Sequence, residues 1–104
     1  MLKLEIRIAD SYIDAKLIES RLDKGFLKYG LSKEKYIDGT ICYKSMNSAK
    51  DYAVFGKLIY SLHDKEWFIP YVEKWLWYNG DYGDNGNVNV EDLLYHYTKV
   101  KSKE

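Results

Sequence analysis

The run Glu66 to Gly80, EWFIPYVEKWLWYNG, constrains this chain more than any other. Six of the twelve positions from Trp67 to Tyr78 are aromatic, and all three tryptophans of the protein lie among them. Each such ring removes on the order of 150 to 250 Å² from water when buried, so the core has to form around this run. Its single proline, Pro70, fits the first turn of a helix and is costly further inside, by roughly 3 kcal/mol. That placement predicts a helix from about Ile69 to Asn79, with Val72, Trp75 and Leu76 sharing one face and Asn79-Gly80 as its stop. Trp77 and Tyr78 fall outside the stripe and are expected to face a partner.

Elsewhere the periodicities are simpler. Leu2, Leu4, Ile6 and Ile8 alternate with Lys3, Glu5 and Arg7, the period of two that marks a strand with one face buried. Asp10 or Ser11 then caps a helix to about Tyr29, with Ile13, Leu17, Ile18, Leu22, Phe26 and Tyr29 inward and Gly30 as its stop. Its charged side reads as a solvated surface. Asp38-Gly39, between Tyr36-Ile37 and Thr40-Ile41-Cys42-Tyr43, is a two-residue hairpin signal. Ser45 or Asn47 caps a third helical stretch to about Leu62. Ala49, Tyr52, Ala53, Gly56, Ile59 and Tyr60 form its predicted apolar face, and the small residues would admit the tryptophan helix closely. A loop from Gly80 to Asn89 precedes a last helix from Val90 to about Val100, with Val90, Leu93, Leu94 and Tyr97 inward. The fold expected is a single α+β domain over residues 1–104, mostly helical, with an N-terminal strand and a short hairpin packed against three to four helices.

Sixteen basic and sixteen acidic residues cancel, which argues against a nucleic-acid or anionic-membrane binder that draws affinity from excess Lys and Arg. The cancellation hides an asymmetry. Between Asn79 and Tyr97 there are four acids, Asp81, Asp84, Glu91 and Asp92, and no Lys or Arg. The lone Cys42 has no partner for an internal disulfide, the amino terminus alternates instead of forming a signal-peptide core, and no apolar run approaches a membrane span of roughly 18 to 20 residues. A cytoplasmic protein is expected.

The segment Asp81 to Asp92, DYGDNGNVNVED, resembles the calcium loop of EF-hand proteins, and GDYGDNGNVNVEDLL is similar to a dockerin repeat. That pattern places oxygens at positions 1, 3, 5, 7, 9 and 12, with glycine at 6. The resemblance implies a Ca²⁺ ligand set of Asp81, Asn85, the Asn87 carbonyl, Asn89 and Asp92, with Gly86 and Val88 at their expected places. Gly83 brings no side-chain oxygen, and Asp92 stands where EF hands carry a bidentate Glu. The same residues also read as a turn followed by a helix N-cap, Asn89 with an acid in the first turn.

Catalysis is not expected. A nucleophile needs a base beside it; His63 and His96 are the only histidines, and Cys42 lies in a predicted strand among apolar neighbours, where a thiol is a small inert hydrophobe. The chain reads as a small protein-binding inhibitor of the bacterial toxin-immunity or phage-encoded kind. Asp81, Tyr82, Asp84, Glu91, Asp92 and Tyr95 are its expected partner-binding residues, and the expected partner is a basic toxin or nuclease, since complementary charge speeds encounter. Two alternatives stand beside it: a calcium-binding module built on Asp81 to Asp92, and a nucleic-acid-binding accessory protein using Lys24, Lys28, Lys33 and Lys35 with Tyr29 and Tyr36.

Overall fold

The computed structural model describes residues 2–9, 14–46, 50–82 and 88–99. Five strands form one antiparallel sheet, and three helices lie on one of its faces. The strands are β1 (Leu2–Ile8), β2 (Ser32–Lys35), β3 (Ile41–Lys44), β4 (Val72–Tyr82) and β5 (Val88–Asp92). The helices are α1 (Ala15–Phe26), α2 (Asp51–Leu62) and α3 (Leu93–Thr98), and 3₁₀ turns occupy Leu27–Tyr29 and Ile69–Tyr71. The strand order is β2-β3-β1-β4-β5. The first six elements follow the β-α-β-β-α-β succession of a split βαβ arrangement, to which β5 and α3 are added at the β4 edge.

This overturns the expectation of a mostly helical α+β domain, and the error has one source. The tryptophan run is a strand, not a helix: Pro70 sits in the 3₁₀ turn, Val72 turns extended at φ −92° and ψ 133°, and β4 continues to Tyr82. A helix would set Trp75 and Trp77 about 200° apart, leaving one in water. In a strand, residues two apart share a face, and both rings are enclosed, Trp75 fully and Trp77 to 6% exposure. Trp77 therefore does not face a partner. Its ring packs on Phe55 of α2, centroids 4.9 Å apart.

β1 occupies the centre because its alternation serves both layers. Leu4 and Ile6 lie opposite Trp77 and Trp75 on one side and Tyr43 and Ile41 on the other; cross-strand partners share a face, so these six make the floor on which the helices rest. Ile18, Leu22 and Phe26 of α1 and Phe55, Ile59 and Leu62 of α2 close over it. Phe26 bridges the layers, stacked on Tyr43 at 4.3 Å and tilted against Phe55 at 6.3 Å. The register of β4 against β1 slips between the Arg7–Lys74 and Ile8–Val72 pairs, so Glu73 is the extra residue of a bulge that increases local twist; against β5 it slips again between Tyr78 and Tyr82.

The predicted hairpin forms between β2 and β3, with Tyr36, Ile37 and Thr40 in a longer turn and the first strand placed earlier, at Ser32–Lys35. Gly39 takes φ +90°, and the Asp38 carboxylate accepts from the Thr40 amide at 2.9 Å, the side-chain turn that makes Asp-Gly a strong signal. Two helix faces differ from expectation. Leu17 and Tyr29, read as inward on α1, are exposed. On α2 the expected face is inward at Ile59, but Tyr52, Ala53, Gly56 and Tyr60 are exposed; Ile59 is buried together with Asp51, Phe55 and Leu62. Asp51 tolerates burial because its carboxylate accepts from the Ser45 hydroxyl at 2.6 Å and the Met46 amide at 2.9 Å. The last helix begins at Leu93, not Val90, which is an exposed residue of β5. Ile13 and Ala49 lie outside the described residues. No helix among those described is long and apolar enough to cross a membrane.

Candidate functional site

The partner-binding and calcium residues singled out in the sequence that the structure describes lie on β4, β5 and α3. Asp81 and Tyr82 end β4; Asp84, Asn85 and Asn87 lie outside the described residues. Asn89 is an exposed residue of β5. Glu91, Asp92 and Tyr95 do come together, lining an open depression with His96 and Lys99. Asp92 has a structural task there, since its carboxylate accepts from the Tyr95 amide at 3.0 Å and so caps α3. The cap is Asp92 itself, not Asn89.

Asp92 lies opposite Leu76, and the β4–β5 register shifts between Tyr78 and Tyr82, so Asp81 lies beside the Tyr82–Val88 pair toward the other end of the hairpin from Glu91 and Asp92.

The basic set is divided too. Lys33 Nζ lies 2.6 Å from Glu19 and 2.9 Å from Asp23, and Lys35 lies 2.9 Å from Glu19. Burial works to raise the Glu19 pKa, but the hydrogen bonds and charges of Lys33 and Lys35 outweigh it and hold the carboxyl below its ordinary value. Asp23 also accepts from the Tyr43 hydroxyl at 2.6 Å. These lysines bolt α1 to the β2 edge. Lys24 and Lys28 are exposed on the outer side of the same helix end.

On the sheet face away from the helices, β1 presents Lys3, Glu5 and Arg7, flanked by Cys42 and Lys44 on β3 and by Lys74, Leu76 and Tyr78 on β4. Glu5 is 6% exposed and accepts from the Tyr78 hydroxyl at 3.0 Å, with Lys3 Nζ 3.7 Å away and 4.5 Å above the Tyr78 ring. Burial and then the hydrogen bond to Glu5 push the Tyr78 phenol up to about 12. Cys42 is fully enclosed, and burial raises its thiol pKa, the state of an unreactive sulfur. Single-stranded RNA is read on such open faces by aromatic rings of the central strands. Here the central positions are held by Glu5 and Cys42, and the neighbouring ring of Tyr78 has its hydroxyl committed to Glu5.

The outer surface of the helix layer is different in kind. Tyr52 and Tyr60 are 59% and 67% exposed, two turns apart along α2, with the exposed Gly56 midway between them. A Cβ added at Gly56 would meet nothing within 4 Å. Tyr52 leans on Trp77 at 6.2 Å, so the ridge is anchored in the core. Beyond Tyr60 the rings continue: Tyr60 to His63 at 4.6 Å, His63 to Tyr97 at 5.0 Å, and Tyr97 to His96 at 4.8 Å, with His63 Nδ1 against the Tyr60 carbonyl. The two histidines thus flank one tyrosine ring. On the other flank of α2, Lys57 donates to the Tyr29 hydroxyl at 3.1 Å, and this contact lowers the Tyr29 pKa. The reading of the sequence missed this surface because it counted tyrosine as apolar and turned the face inward. The alternative stripe Asp51, Phe55, Ile59, Leu62 was the available signal. No family model, no curated protein and no solved structure matches the chain.

Proposed function

We propose that the chain is a small protein-binding module that acts by covering a surface of its partner, as neutralising proteins of bacterial toxin-immunity or phage inhibitor systems do. The observation that carries this reading is the outward face of α2, where Tyr52 and Tyr60 stand in water on either side of Gly56. Tyrosine is enriched at binding hot spots because it offers a large, stiff ring with a polar tip. A glycine in the interior of a helix costs roughly 0.5 to 1 kcal/mol relative to alanine; at Gly56 that cost leaves a flat floor between two tyrosines. The depression at Glu91, Asp92 and Tyr95 is a second contact region on the same reading, reduced to the residues that lie together.

The test is capture from a lysate of the source organism on the immobilised chain, repeated with a Tyr52→Ser, Tyr60→Ser double variant. Both side chains are largely exposed, so the variant should keep the parent's circular dichroism and a cooperative urea transition, lowered only by the lost Tyr52–Trp77 contact, while losing the captured protein. An unchanged set of captured proteins would remove α2 from the interface. Loss with Glu91→Lys instead would move the interface to the α3 end.

A further inference from the structure

Resting on that protein-binding reading, we infer that the part of the partner that meets the α1 end is acidic, and that it docks across Lys24, Leu27, Lys28 and Tyr29 at the end of α1 and Gly56 and Lys57 on α2. Two ammonium groups lie near the Tyr29 ring, Lys28 Nζ 5.8 Å and Lys57 Nζ 5.4 Å from its centroid, the latter at the phenol hydroxyl, 3.1 Å away. Neither lysine makes an ion pair among the described residues, although Lys33, Lys35 and Lys44 all do. The contrast follows from geometry. The acids of α1 that could neutralise this side, Glu19 and Asp23, are committed to the β2 edge, and Asp51 of α2 is buried under Ser45 and Met46. What remains outside is positive charge set among exposed Leu27, Tyr29 and the bare backbone at Gly56.

Helix dipoles explain a preference for Lys24 and Lys28 near the end of α1. They do not explain Lys57, which lies within α2. Two like charges held at one ring repel, and an anion seated between them would relieve both. A protein carboxylate surface fits better than a nucleic acid. The chain has no net charge to support counterion-driven affinity. Apolar Leu27 and the Gly56 floor match the mixed apolar and polar character of a protein interface.

The probe is a random glutamate–tyrosine copolymer, followed by amide chemical shifts of the folded chain and by fluorescence anisotropy at two salt concentrations. Shifts are expected at residues 24–29 and 53–60. A Lys28→Glu, Lys57→Glu variant should weaken binding at least about tenfold and flatten its salt dependence. A Lys16→Glu, Lys65→Glu variant, which changes net charge equally at exposed sites elsewhere, should weaken it far less. Equal weakening by both variants, or an absence of shifts at these residues, would overturn the inference. So would an oligothymidylate that binds the same residues as tightly, which would assign the surface to nucleic acid. If the Tyr52, Tyr60 variant loses the lysate-captured protein while the Lys28, Lys57 variant keeps it, the protein-binding reading stands and the acidic partner falls.

Discussion

Replacing Trp75 with alanine should cost about 4 kcal/mol, and the structure gives the parts of that figure. The side chain is fully enclosed, edge-on to Phe68 at 5.1 Å and stacked on Tyr97 at 5.5 Å. Burying a large aromatic of about 250 Å² at about 25 cal/mol per Å² gives a gross gain near 6 kcal/mol. Against it stands the indole nitrogen, which is buried and has no hydrogen-bond partner among the described residues; an unsatisfied polar group costs roughly 1 to 3 kcal/mol. The difference falls within the range of about 3 to 5 kcal/mol for removing a core aromatic. The same sum makes Trp75→Phe mild, about 1 to 2 kcal/mol, because the lost area is offset by removal of the orphan N–H. Urea unfolding followed by far-UV circular dichroism measures both without relying on tryptophan emission. With a slope near 1.5 kcal/mol per M, the alanine variant should move its midpoint down by about 2.5 M. An alanine midpoint within error of the parent would show that Trp75 is not core. A phenylalanine variant as damaged as the alanine one would refute the role given to the indole nitrogen.

Glu19→Gln tests the bolt between α1 and β2. The folded pKa of Glu19 is depressed below its ordinary 4.5, so its stabilisation is present above that pH and lost as pH falls through the folded value; the variant should be weaker near neutrality and converge with the parent in acid, read as thermal midpoints against pH. Gly56→Ala should raise stability by about 0.5 to 1 kcal/mol, since the added Cβ meets nothing, a rise of roughly 3 to 6 °C in Tm; a fall would mean that the helix is strained there. Gly39→Ala should do the opposite and cost about 1 kcal/mol or more because Gly39 sits at φ +90°. Tyr78→Phe leaves the Glu5 carboxylate without its hydroxyl donor and should cost about 1 to 3 kcal/mol in urea titration, whereas an unchanged midpoint would mean that Lys3 alone satisfies Glu5.

β1 and the Asp38-Gly39 turn were legible because each depends on its own residues. The alternation from Leu2 to Ile8 and the positive φ at Gly39 are local chemistry. β4 was not legible, because its run satisfies two periods at once: Val72, Trp75 and Leu76 make a helical stripe, and Trp75 with Trp77 make a strand face. The choice is made by β1, which has a second edge to pair and takes β4 along it from Asn79 to Val72. The α2 face failed for a different reason. Hydrophobicity ranked Tyr52 and Tyr60 above Asp51, but a carboxylate with two donors is comfortable inside, and a phenol reaches water as easily as a core. Of the acidic residues from Asp81 to Asp92, Glu91 and Asp92 are adjacent on β5, Asp81 lies near the end of β4, and Asp84 lies outside the described residues.

The place of β1 in the sheet also fixes the order in which this chain becomes a folded molecule. β1 precedes every other strand, yet its seam with β4 joins residues such as Glu5 and Tyr78, 73 positions apart. Loop entropy must be met before that seam contributes, so closure of the sheet is expected on the order of milliseconds to seconds, not microseconds. Until β4 arrives, Leu4 and Ile6 lie on an open strand edge beside which any other chain could add. Lys3, Glu5 and Arg7, one charge between each pair of apolar residues, discourage that pairing. The alternation that places this strand in the centre of the sheet therefore also protects it while it waits for its partner.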